Sequence, residues 1–454
     1  MKRAYYIQTL GCQMNYSDSE RIEAVLNHMG FRKTDEMEKA DMVIFNTCSV
    51  RQKAEDRVFG QMINIKKLRK QKPHLITAIT GCMVRTTSHR HAENRDALLR
   101  RSKETDFVFR IEDLPKLPAL IQACWGDTVP TDIHEANLKN YFNINPVYSS
   151  TAQAFVPIGT GCDNFCTYCI VPYSRKREKS RSMDDIVNEC TRLVENGCLE
   201  ITLLGQNVNS YGLSNLDKKT DEFNDMTTPF VDLLERVDAL KEKGLKRLRF
   251  TSNHPKDLSD ELIDAMARLE TLMPYLHLPV QSGSNEVLKR MNRHYTADWY
   301  RNLIKKIRSA VPGIAISTDI IVGFCGETEE QFMETYTLFE DIKWDMAYLA
   351  QYSTRKGTFA SQHMADDISA EIKSKRWHRL NKLLIQSSLQ GHRAFQDKDV
   401  QVLVEQCKNG VCKGRSEHFK TVVFHADKNM TGTIQTVHVT KAREWQLEGE
   451  LTKR

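Results

Sequence analysis

The stretch AYYIQTLGC, residues 4–12, sets the pattern on which the amino-terminal part of the chain is built. Its first seven residues are mostly apolar or aromatic and predict a β-strand, which a turn at Gly11 ends. The segment SDSERIEAVLNHMG, residues 17–30, begins with Ser and Asp and ends with Gly, so it predicts a capped helix. A strand, a cysteine and a helix therefore follow one another.

The same unit recurs twice further along the chain. DMVIFNTC (41–48) and LITAITGC (75–82) predict two more strands, with a charged helix between them that runs to about Lys72. The order β-α-β-α-β predicts a parallel, doubly wound sheet. Ligands bind at the carboxyl ends of strands in open α/β sheets, so residues that follow these strands can converge on one site. Each predicted strand is followed by a cysteine, namely Cys12, Cys48 and Cys82.

The rest of the 454-residue chain predicts two further domains. Between about 150 and 370, six strand candidates alternate with amphipathic stretches, which predicts a partial (β/α)6 barrel. In the tail, VQVLVEQ and VCKGRS flank Asn409-Gly410, which predicts a hairpin within a small β-barrel of the kind that binds oligonucleotides. We therefore predict an α/β multidomain protein with an amino-terminal domain at 1–118, a linker at 119–147, the partial barrel at 148–378 and the small β-barrel at 380–448.

Composition narrows the function classes. The chain lacks any run of about 18 apolar residues and starts without a secretory signal pattern, which predicts a cytoplasmic protein with no membrane span. Thiols stay reduced in that compartment, so the 12 cysteines favour metal-ligand or redox roles over disulfides. Cys407 and Cys412 flank the hairpin turn symmetrically and can face each other, so a disulfide stays open there, although the reduced state is the default in that compartment.

Positive charge is concentrated in the last part of the chain. Residues 371–454 carry 16 Lys and Arg against 9 Asp and Glu, whereas the remainder carries 49 against 50. This excess is either an ordinary solvated surface or a surface that binds a polyanion, and nucleic acid is the polyanion that we favour. Cations neutralise phosphates and aromatic rings stack on unpaired bases. The candidate RNA contacts are Lys413, Arg415, His418, Phe419 and Lys420.

The segment GCDNFCTYC, residues 161–169, offers three closely spaced cysteines, Cys162, Cys166 and Cys169. A zinc site would need a fourth ligand, and residues 170–185 contain no Cys or His. Three cysteines would instead leave one iron of a four-iron cluster without a protein ligand, open to a substrate.

This C-x3-C-x2-C pattern, with Tyr168 before its last cysteine, resembles the signature of the radical S-adenosylmethionine (SAM) superfamily. The resemblance implies a 4Fe-4S cluster whose open iron binds SAM, which is then cleaved to a 5′-deoxyadenosyl radical. Leu204-Gly205-Gln206 resembles the superfamily's Gly-Gly-Glu stretch, with the acid replaced by an amide. By this resemblance the candidate SAM contacts are Gly205, Gln206, Gln281, Ser282, Asp319, Val322 and Gly323.

The three earlier cysteines lie in a second recognisable pattern. TLGCQMNYSDSE, NTCSVR and TGCMVR resemble the amino-terminal domain of the methylthiotransferases, which are radical SAM enzymes with a second three-cysteine cluster in that domain. The tail, with GRSEHFKTVVF, resembles their TRAM domain, a small RNA-binding β-barrel. GCQMN is closest to the group that makes 2-methylthio-N6-isopentenyladenosine in tRNA (the MiaB group).

The resemblance implies an enzyme that replaces the C2 hydrogen of N6-isopentenyladenosine, at position 37 of tRNA, with a methylthio group. It implies two 4Fe-4S clusters and two SAM molecules per turnover, with no catalytic side chain beyond the cluster ligands. The implied partners are the tRNA anticodon stem-loop, an electron donor such as flavodoxin or ferredoxin, and a sulfur source or cluster-assembly protein. Two alternatives stay open: a threonylcarbamoyladenosine methylthiotransferase, or an iron–sulfur RNA-binding protein without catalysis.

Overall fold

The computed structural model describes residues 3–48, 52–126, 140–213 and 228–452. The chain divides into two compact units. The first comprises Met1–Ser149, Thr160–Phe165 and Cys169–Arg181, and the second comprises Ser150–Gly159, Cys166–Tyr168 and Ser182–Arg454.

The first unit is built on a six-stranded sheet. Its strands are β1 (Ala4–Leu10), β2 (Arg32–Lys33), β3 (Met42–Thr47), β4 (Ile76–Gly81), β5 (Ser88–His89) and β6 (Phe107–Phe109). They lie in the order β2-β1-β3-β4-β6-β5, and every neighbouring pair is parallel except β5 with β6. The α-helices of this unit are α1 (Gln13–His28), α2 (Gln52–Gln71), α3 (Ala97–Arg101), α4 (Leu117–Trp125) and α5 (Val171–Ser174).

Both faces of this sheet are covered, because its central strands are apolar on both sides. Met42 and Ile44 of β3 pack in one core with Ile22 of α1. Val43 and Phe45 of the same strand pack in a second core with the apolar side of α2. Side chains alternate along a strand, so this arrangement confirms the predicted doubly wound domain.

Helix α1 begins earlier than the sequence pattern predicted. It starts at Gln13, directly after Cys12, instead of at Ser17. Asn15 accepts a hydrogen bond from the Cys12 backbone N–H at 3.2 Å and so takes the part of a cap. Ser17 and Asp18, which suggested a helix start, are instead buried inside the helix. The polar residues Ser17 and Asp18 therefore gave the same sequence pattern as a helix cap, although they lie inside the helix.

The segment interpreted as a linker, 119–147, contributes to the core of the first unit in its described parts. Leu120 and Ile121 of α4, together with Tyr141 and Ile144, belong to the same apolar cluster as Ile44. Residues 127–139 of this segment lie outside the described residues.

The second unit contains six parallel barrel strands in two sheets of three, with the orders β7-β10-β11 and β12-β13-β14. An isolated parallel bridge pairs Leu248 of β11 with Leu272, just before β12. The partial barrel is thus confirmed. Its strands are β7 (Gln153–Pro157), β10 (Glu200–Leu204), β11 (Arg247–Phe250), β12 (Tyr275–His277), β13 (Ala315–Val322) and β14 (Met346–Gln351).

The remaining elements outside the tail are short strands and helices. The two-residue strands β8 (Gly159–Thr160) and β9 (Lys179–Ser180) lie on either side of the three-cysteine segment in the sequence. The helices are α6 (Met183–Glu195), α7 (Pro229–Asp238), α8 (Asp260–Arg268), α9 (Asn285–Arg290), α10 (Ala297–Ala310), α11 (Glu329–Ile342), α12 (Phe359–His363) and α13 (Ala370–Arg393). Short 3-10 helices occupy Met37–Lys39, Ile111–Lys116, Tyr141–Asn143, Val208–Ser210, Ala239–Lys243 and Pro255–Asp257. None of the helices in the described ranges is long and apolar enough to cross a membrane.

The tail forms a closed β-barrel in the order β15-β16-β17-β19-β18, as predicted. The predicted hairpin joins β15 to β16 through Asn409 and Gly410, whose φ angles are 52° and 75°. Two positive φ values are typical of the tight turn that Asn-Gly favours. The strands are β15 (Asp399–Lys408), β16 (Val411–Ser416), β17 (Thr421–His425), β18 (Ile434–Ala442) and β19 (Leu447–Leu451).

At two tail cysteines, where the sequence left a disulfide open, the structure departs from the default reduced state. Cys407 and Cys412 are joined as a disulfide. They are direct partners across β15 and β16, and their Cα atoms are 4.0 Å apart. The register of the hairpin, which composition does not reveal, brings the two sulfurs together.

Candidate active site

Three neighbouring strand ends place Cys12, Cys48 and Cys82 on one edge of the first unit's sheet. Leu10 pairs with Thr47, and Thr47 pairs with Gly81, so β1, β3 and β4 end level with one another. The Cys48 N–H donates to the Leu10 carbonyl at 3.0 Å, and the Cys82 N–H donates to the Thr47 carbonyl at 2.9 Å. None of the three cysteines is in a disulfide. The predicted convergence at the sheet edge therefore holds for the backbone.

The electrostatic environment favours a thiolate within this set. A hydrogen bond from Cys48 and the Arg175 guanidinium together lower the pKa of Cys82 to about 6, against the opposing effect of burial. Cys12 is exposed as a residue, yet burial of its thiol raises its pKa, and so does the negative charge of nearby Cys82. The thiolate is the form that binds metal. The set therefore fits a metal-binding role.

Cys12, Cys48 and Cys82 follow three adjacent strands of the sheet. In the described part of the chain, no three His, Cys, Asp or Glu side chains are close enough together to hold one metal ion. Cysteines of an iron–sulfur cube bind different irons, so their sulfurs need not meet at one point. Adjacent strands lie about 4.8 Å apart.

A buried amide pair fixes Cys12 relative to the end of β3. The Asn15 side-chain N–H donates to Asn46 Oδ1 at 2.9 Å, and the Asn46 amide donates to the Asn15 carbonyl at 2.7 Å and to Ser19 Oγ at 3.0 Å. Asn15 and Asn46 are both fully buried. The sequence analysis did not single out Asn46; its signal was a polar residue inside an otherwise apolar strand.

Gly81 allows the backbone before Cys82 to pass close to β3. Its φ is +92°, and a Cβ at this position would lie 2.3 Å from the Thr47 carbonyl oxygen. Both features exclude a larger residue without movement of the backbone. The glycine before Cys82 is therefore required by the geometry that aligns the strand ends.

Replacing Asn46 with alanine is expected to destabilise the first unit by about 1–3 kcal/mol, because the buried Asn15 amide loses its partner. Cys12 should then be less well positioned, and anaerobically reconstituted protein should hold less iron. Chemical denaturation and iron analysis measure the two effects. Asn64→Ala is the matched control, since Asn64 is an exposed asparagine on α2. Equal stability and iron content in the two variants would exclude a positioning role for Asn46.

Cys162, Cys166 and Cys169 are outside any disulfide and have different surroundings. The Cys162 N–H donates to the Lys176 carbonyl at 3.3 Å, and the preceding Gly161 has φ +81° with no room for a Cβ beside the Arg177 carbonyl. In the second unit, Cys166 is buried and its sulfur accepts a hydrogen bond from Arg293 Nη1 at 3.4 Å. Donors directed at cysteine sulfur are typical of iron–sulfur ligands.

The carboxyl end of β10 presents an unsatisfied acceptor. Gly205 and Gln206 follow the strand directly, and the Gln206 Oε1 atom is buried without a hydrogen-bond partner. Leaving a buried acceptor unpaired is costly, so this oxygen fits the predicted role of receiving a hydrogen bond from the SAM amino group.

The Gln281 backbone and the Ser282 hydroxyl make contacts within the second unit. Gln281 has φ +75°, accepts a hydrogen bond from the Ile321 N–H at 2.9 Å and donates its own N–H to the Asp319 carbonyl at 2.9 Å. The fully buried Ser282 hydroxyl is 3.1 Å from Thr335 Oγ1 of α11. The structure therefore assigns the Ser282 side chain to helix packing, whereas Gln281 bridges two strand ends.

Strand β13 corrects one predicted contact. Asp319 and Ile321 share one side of the strand and are partly exposed, with Asp319 Oδ2 3.5 Å from His277 Nε2. Val322 points to the other side and is fully buried, whereas Ile321 packs in the cluster of Phe324 and Tyr168. Alternation along the strand thus makes Ile321, not Val322, the side chain near the cysteine segment.

Gly323, a candidate SAM contact, has a positive φ, and its backbone N–H is already bonded within the chain. Its φ is +69°, and its N–H donates to Glu327 Oε2 at 2.6 Å. A cofactor at this position would therefore meet the strand end without that donor.

The predicted RNA contacts are mostly engaged within the second unit. Lys413 is exposed. Arg415 donates to Thr421 Oγ1 at 2.9 Å, and His418 packs edge-on against Phe395. Burial and the charge of Lys420 lower the pKa of His418 to about 4, so this ring is neutral at physiological pH. Lys413 alone among these three presents a free cationic surface.

Phe419 and Lys420, two of the candidate RNA contacts, make contacts within the second unit instead. The Phe419 ring stacks on Tyr275 of β12, with centroids 4.6 Å apart. Lys420 is buried and its Nζ is 2.6 Å from Asp345 Oδ1. Both side chains instead hold the tail barrel against the partial barrel.

Two buried arginines on β11 complete that contact. Arg249 donates to Glu200 Oε2, the Ser416 carbonyl and the Glu417 carbonyl, each at 2.9 Å. Arg247 donates to the carbonyls of Arg415 and Gln401 at 2.8 and 2.7 Å. These arginines donate hydrogen bonds to carbonyls at the base of the tail barrel. The sequence did not predict this role, because LKRLRFTS indicates only a strand.

Comparison with known proteins decides the family. The radical SAM superfamily matches residues 156–339, and the uncharacterised protein family UPF0004 matches residues 4–109. The chain is 43% identical over 99% of its length to a tRNA-2-methylthio-N(6)-dimethylallyladenosine synthase of Thermoanaerobacter sp. (strain X514), 93% of which is covered. The chain belongs to the tRNA-2-methylthio-N(6)-dimethylallyladenosine synthase family.

A second relative with the same name supports this family assignment. A synthase of Acetivibrio thermocellus is 41% identical over the whole chain and 92% of its own length. Among solved structures, the radical SAM methyltransferase TsrM from Kitasatospora setae aligns with a TM-score of 0.52, 15% identity and coverage of 77% of this chain and 73% of that one. That likeness supports the fold. Membership of the superfamily implies a 4Fe-4S cluster and SAM as cofactors.

Proposed function

We propose that this chain is a radical SAM tRNA methylthiotransferase that converts N6-isopentenyladenosine at position 37, beside the anticodon, into its 2-methylthio derivative. Dimethylallyl, the word in the relatives' names, denotes the same isopentenyl group. The observation that carries the proposal is the presence of three cysteines outside any disulfide at level strand ends, in addition to the radical SAM set, in a chain that matches a member of that family over 99% of its length. The threonylcarbamoyl and non-catalytic alternatives have no observation in their favour.

Cys162, Cys166 and Cys169 would hold the SAM-binding cluster. When loaded, this cluster and SAM supply a 5′-deoxyadenosyl radical, which can remove hydrogen from a carbon that polar reagents do not activate. The chain's own contribution is binding and orientation. The unpaired Gln206 oxygen would accept a hydrogen bond from SAM, Ile321 and the strand end at Gly323 would pack against its adenine, and the Asp319 carboxylate would accept from its ribose hydroxyls.

Cys12, Cys48 and Cys82 would hold a second 4Fe-4S cluster, whose role is to carry the sulfur that is transferred. The low pKa of Cys82, the absence of a disulfide at all three cysteines and the level strand ends support this assignment. Two SAM molecules per turnover follow, one for the methyl group and one for the radical.

The tail barrel, which we assign to 380–448, would bind the anticodon stem-loop through its exposed cations. Lys413 belongs to this surface, while Arg415, His418, Phe419 and Lys420 support it from within the second unit. The adenosine must leave the stack of the loop to reach the strand ends of the partial barrel. The proposed partners beyond tRNA are an electron donor of the flavodoxin or ferredoxin class and a sulfur source or cluster-assembly protein, in the cytoplasm.

An anaerobic assay with defined stem-loops tests the proposal. Reconstituted protein, SAM and dithionite should convert an isopentenylated stem-loop to its methylthio product, with little product from unmodified or threonylcarbamoylated stem-loops. Mass spectrometry of the digested nucleosides gives the readout. Preference for the threonylcarbamoylated stem-loop would replace the proposed substrate, and absence of 5′-deoxyadenosine with every stem-loop would favour the non-catalytic alternative.

A further inference from the structure

Each of the two cysteine sets is in contact with one buried arginine. In the first unit, Arg175 Nε lies 3.5 Å from Cys82 Sγ, and the arginine side chain is 2% exposed. In the second unit, Arg293 Nη1 lies 3.4 Å from Cys166 Sγ, and this arginine is also buried. The two guanidinium groups differ in what surrounds their charge.

The charge of Arg175 is balanced by a carboxylate. Arg175 Nη2 lies 2.5 Å from Asp18 Oδ2, and Asp18 is fully buried. The Tyr141 hydroxyl donates to the other Asp18 oxygen at 2.7 Å, which fixes the carboxylate. Cys82 therefore receives a hydrogen bond from an ion pair whose net charge is zero.

The charge of Arg293 has no such partner. Arg293 Nη2 donates to the Pro279 carbonyl at 2.9 Å, and its Nε donates to the Tyr295 hydroxyl at 2.8 Å. The guanidinium also lies over the Tyr295 ring, 5.2 Å from the centroid. Among the residues that the structure describes, no carboxylate lies within ion-pairing distance of it. Cys166 therefore faces an uncompensated buried cation.

This difference matters because an iron–sulfur cluster becomes more negative when it is reduced. Hydrogen bonds to the cysteine sulfurs and net charge set the reduction potential of such a cluster. A fixed cation acts strongly in a buried environment of low dielectric constant, whereas the fields of a close ion pair largely cancel. An unpaired arginine thus favours reduction more than a paired one.

We propose that Arg293 is a positioning residue that raises the reduction potential of the cluster held by Cys162, Cys166 and Cys169, and that Asp18 cancels the corresponding effect of Arg175 on the cluster held by Cys12, Cys48 and Cys82. Electrons are then drawn first to the cluster that binds SAM, while the sulfur-carrying cluster stays oxidised. This inference rests on the proposed function, since it assumes one cluster at each cysteine set.

Redox titration followed by electron paramagnetic resonance tests the inference at each site separately. Arg293→Met is placed in a protein with Cys12, Cys48 and Cys82 replaced by alanine, and Asp18→Asn in a protein with Cys162, Cys166 and Cys169 replaced by alanine. At a fixed solution potential, Arg293→Met should lower the ratio of reduced to oxidised cluster at least tenfold, which is 59 mV for one electron. Asp18→Asn should raise that ratio at least tenfold. Arg293→Lys, which keeps the charge, should stay within threefold of its parent.

The possible failures are distinguishable. If a parent protein with one intact cysteine set binds no iron, the cluster assignment fails, and the inference fails with it. If the parent shows its cluster signal but Arg293→Met and Arg293→Gln leave the ratio within threefold, the inference alone is overturned. An unchanged or lowered ratio in Asp18→Asn overturns the charge-cancelling role of Asp18. If Arg293 or Asp18 had a purely structural role, its variant would change the amount of cluster bound, but the ratio of reduced to oxidised cluster would not fall in one variant and rise in the other.

Discussion

Protein with Cys12, Cys48 and Cys82 all replaced by alanine is expected to form 5′-deoxyadenosine but no methylthio product. The remaining set, Cys162, Cys166 and Cys169, is sufficient to bind a cluster with an open iron. The sulfur to be transferred, however, has lost the site that would carry it. Iron content should fall from about eight to about four per chain, as expected for one four-iron cube in place of two.

The reciprocal variant, with Cys162, Cys166 and Cys169 replaced by alanine, should lose both products, because no radical arises. Anaerobic incubation with SAM, dithionite and an isopentenylated stem-loop, followed by mass spectrometry, measures both variants. Cys124→Ala is the matched control, since Cys124 is a free cysteine on α4 outside both sets.

Two results would contradict this division of labour. Methylthio product from the Cys12, Cys48 and Cys82 variant would remove the sulfur-carrying role of that set. Loss of 5′-deoxyadenosine from the same variant, with its other cluster intact, would show that the two sites depend on each other. The structure offers a route for such dependence within the first unit, because Arg175 follows Cys169 by six residues and contacts Cys82.

Replacing Arg249 with alanine is expected to destabilise the second unit by about 3–5 kcal/mol, because it leaves the buried Glu200 carboxylate without its main partner. The carbonyls of Ser416 and Glu417 lose their donor as well, and Phe419 loses a cation on its face. The tail barrel should therefore separate more readily from the partial barrel.

Chemical denaturation measures the loss, and limited proteolysis localises it to residues 394–398, which connect α13 to β15. Arg236→Ala is the control, since the exposed Arg236 pairs with Asp232 on its own helix and its loss should change little. If Arg249→Ala unfolds like Arg236→Ala and is cleaved no faster, Arg249 does not hold the tail barrel in place.

Sequence pattern was enough for the elements whose signals are local. The strands around AYYIQTL, the Asn409-Gly410 turn and the cysteine after each parallel strand follow from periodicity and turn chemistry. The start of α1 was missed, because Asp18 is polar in order to bind Arg175 and Tyr141, not to cap the helix. A polar residue buried for a distant partner has the same one-dimensional signature as a cap.

In the candidate site too, the sequence predicted features that depend on neighbouring residues and missed contacts with residues far away in the chain. Cys162, Cys166 and Cys169 were proposed as ligands because their spacing is local. Phe419 and Lys420 were assigned to RNA because cations and aromatics are typical of such surfaces, but their partners, Tyr275 and Asp345, come from strands far away in sequence. Arg293 was missed for the same reason, since nothing in its neighbourhood in the sequence indicates a contact with Cys166.

The most direct test of the central claim is nucleoside analysis of tRNA from cells that lack this protein. The account predicts that 2-methylthio-N6-isopentenyladenosine disappears and that N6-isopentenyladenosine accumulates in its place. The wild-type chain should restore the methylthio nucleoside, and the variant with Cys162, Cys166 and Cys169 replaced by alanine should not. Undiminished 2-methylthio-N6-isopentenyladenosine in the deleted cells would contradict the account.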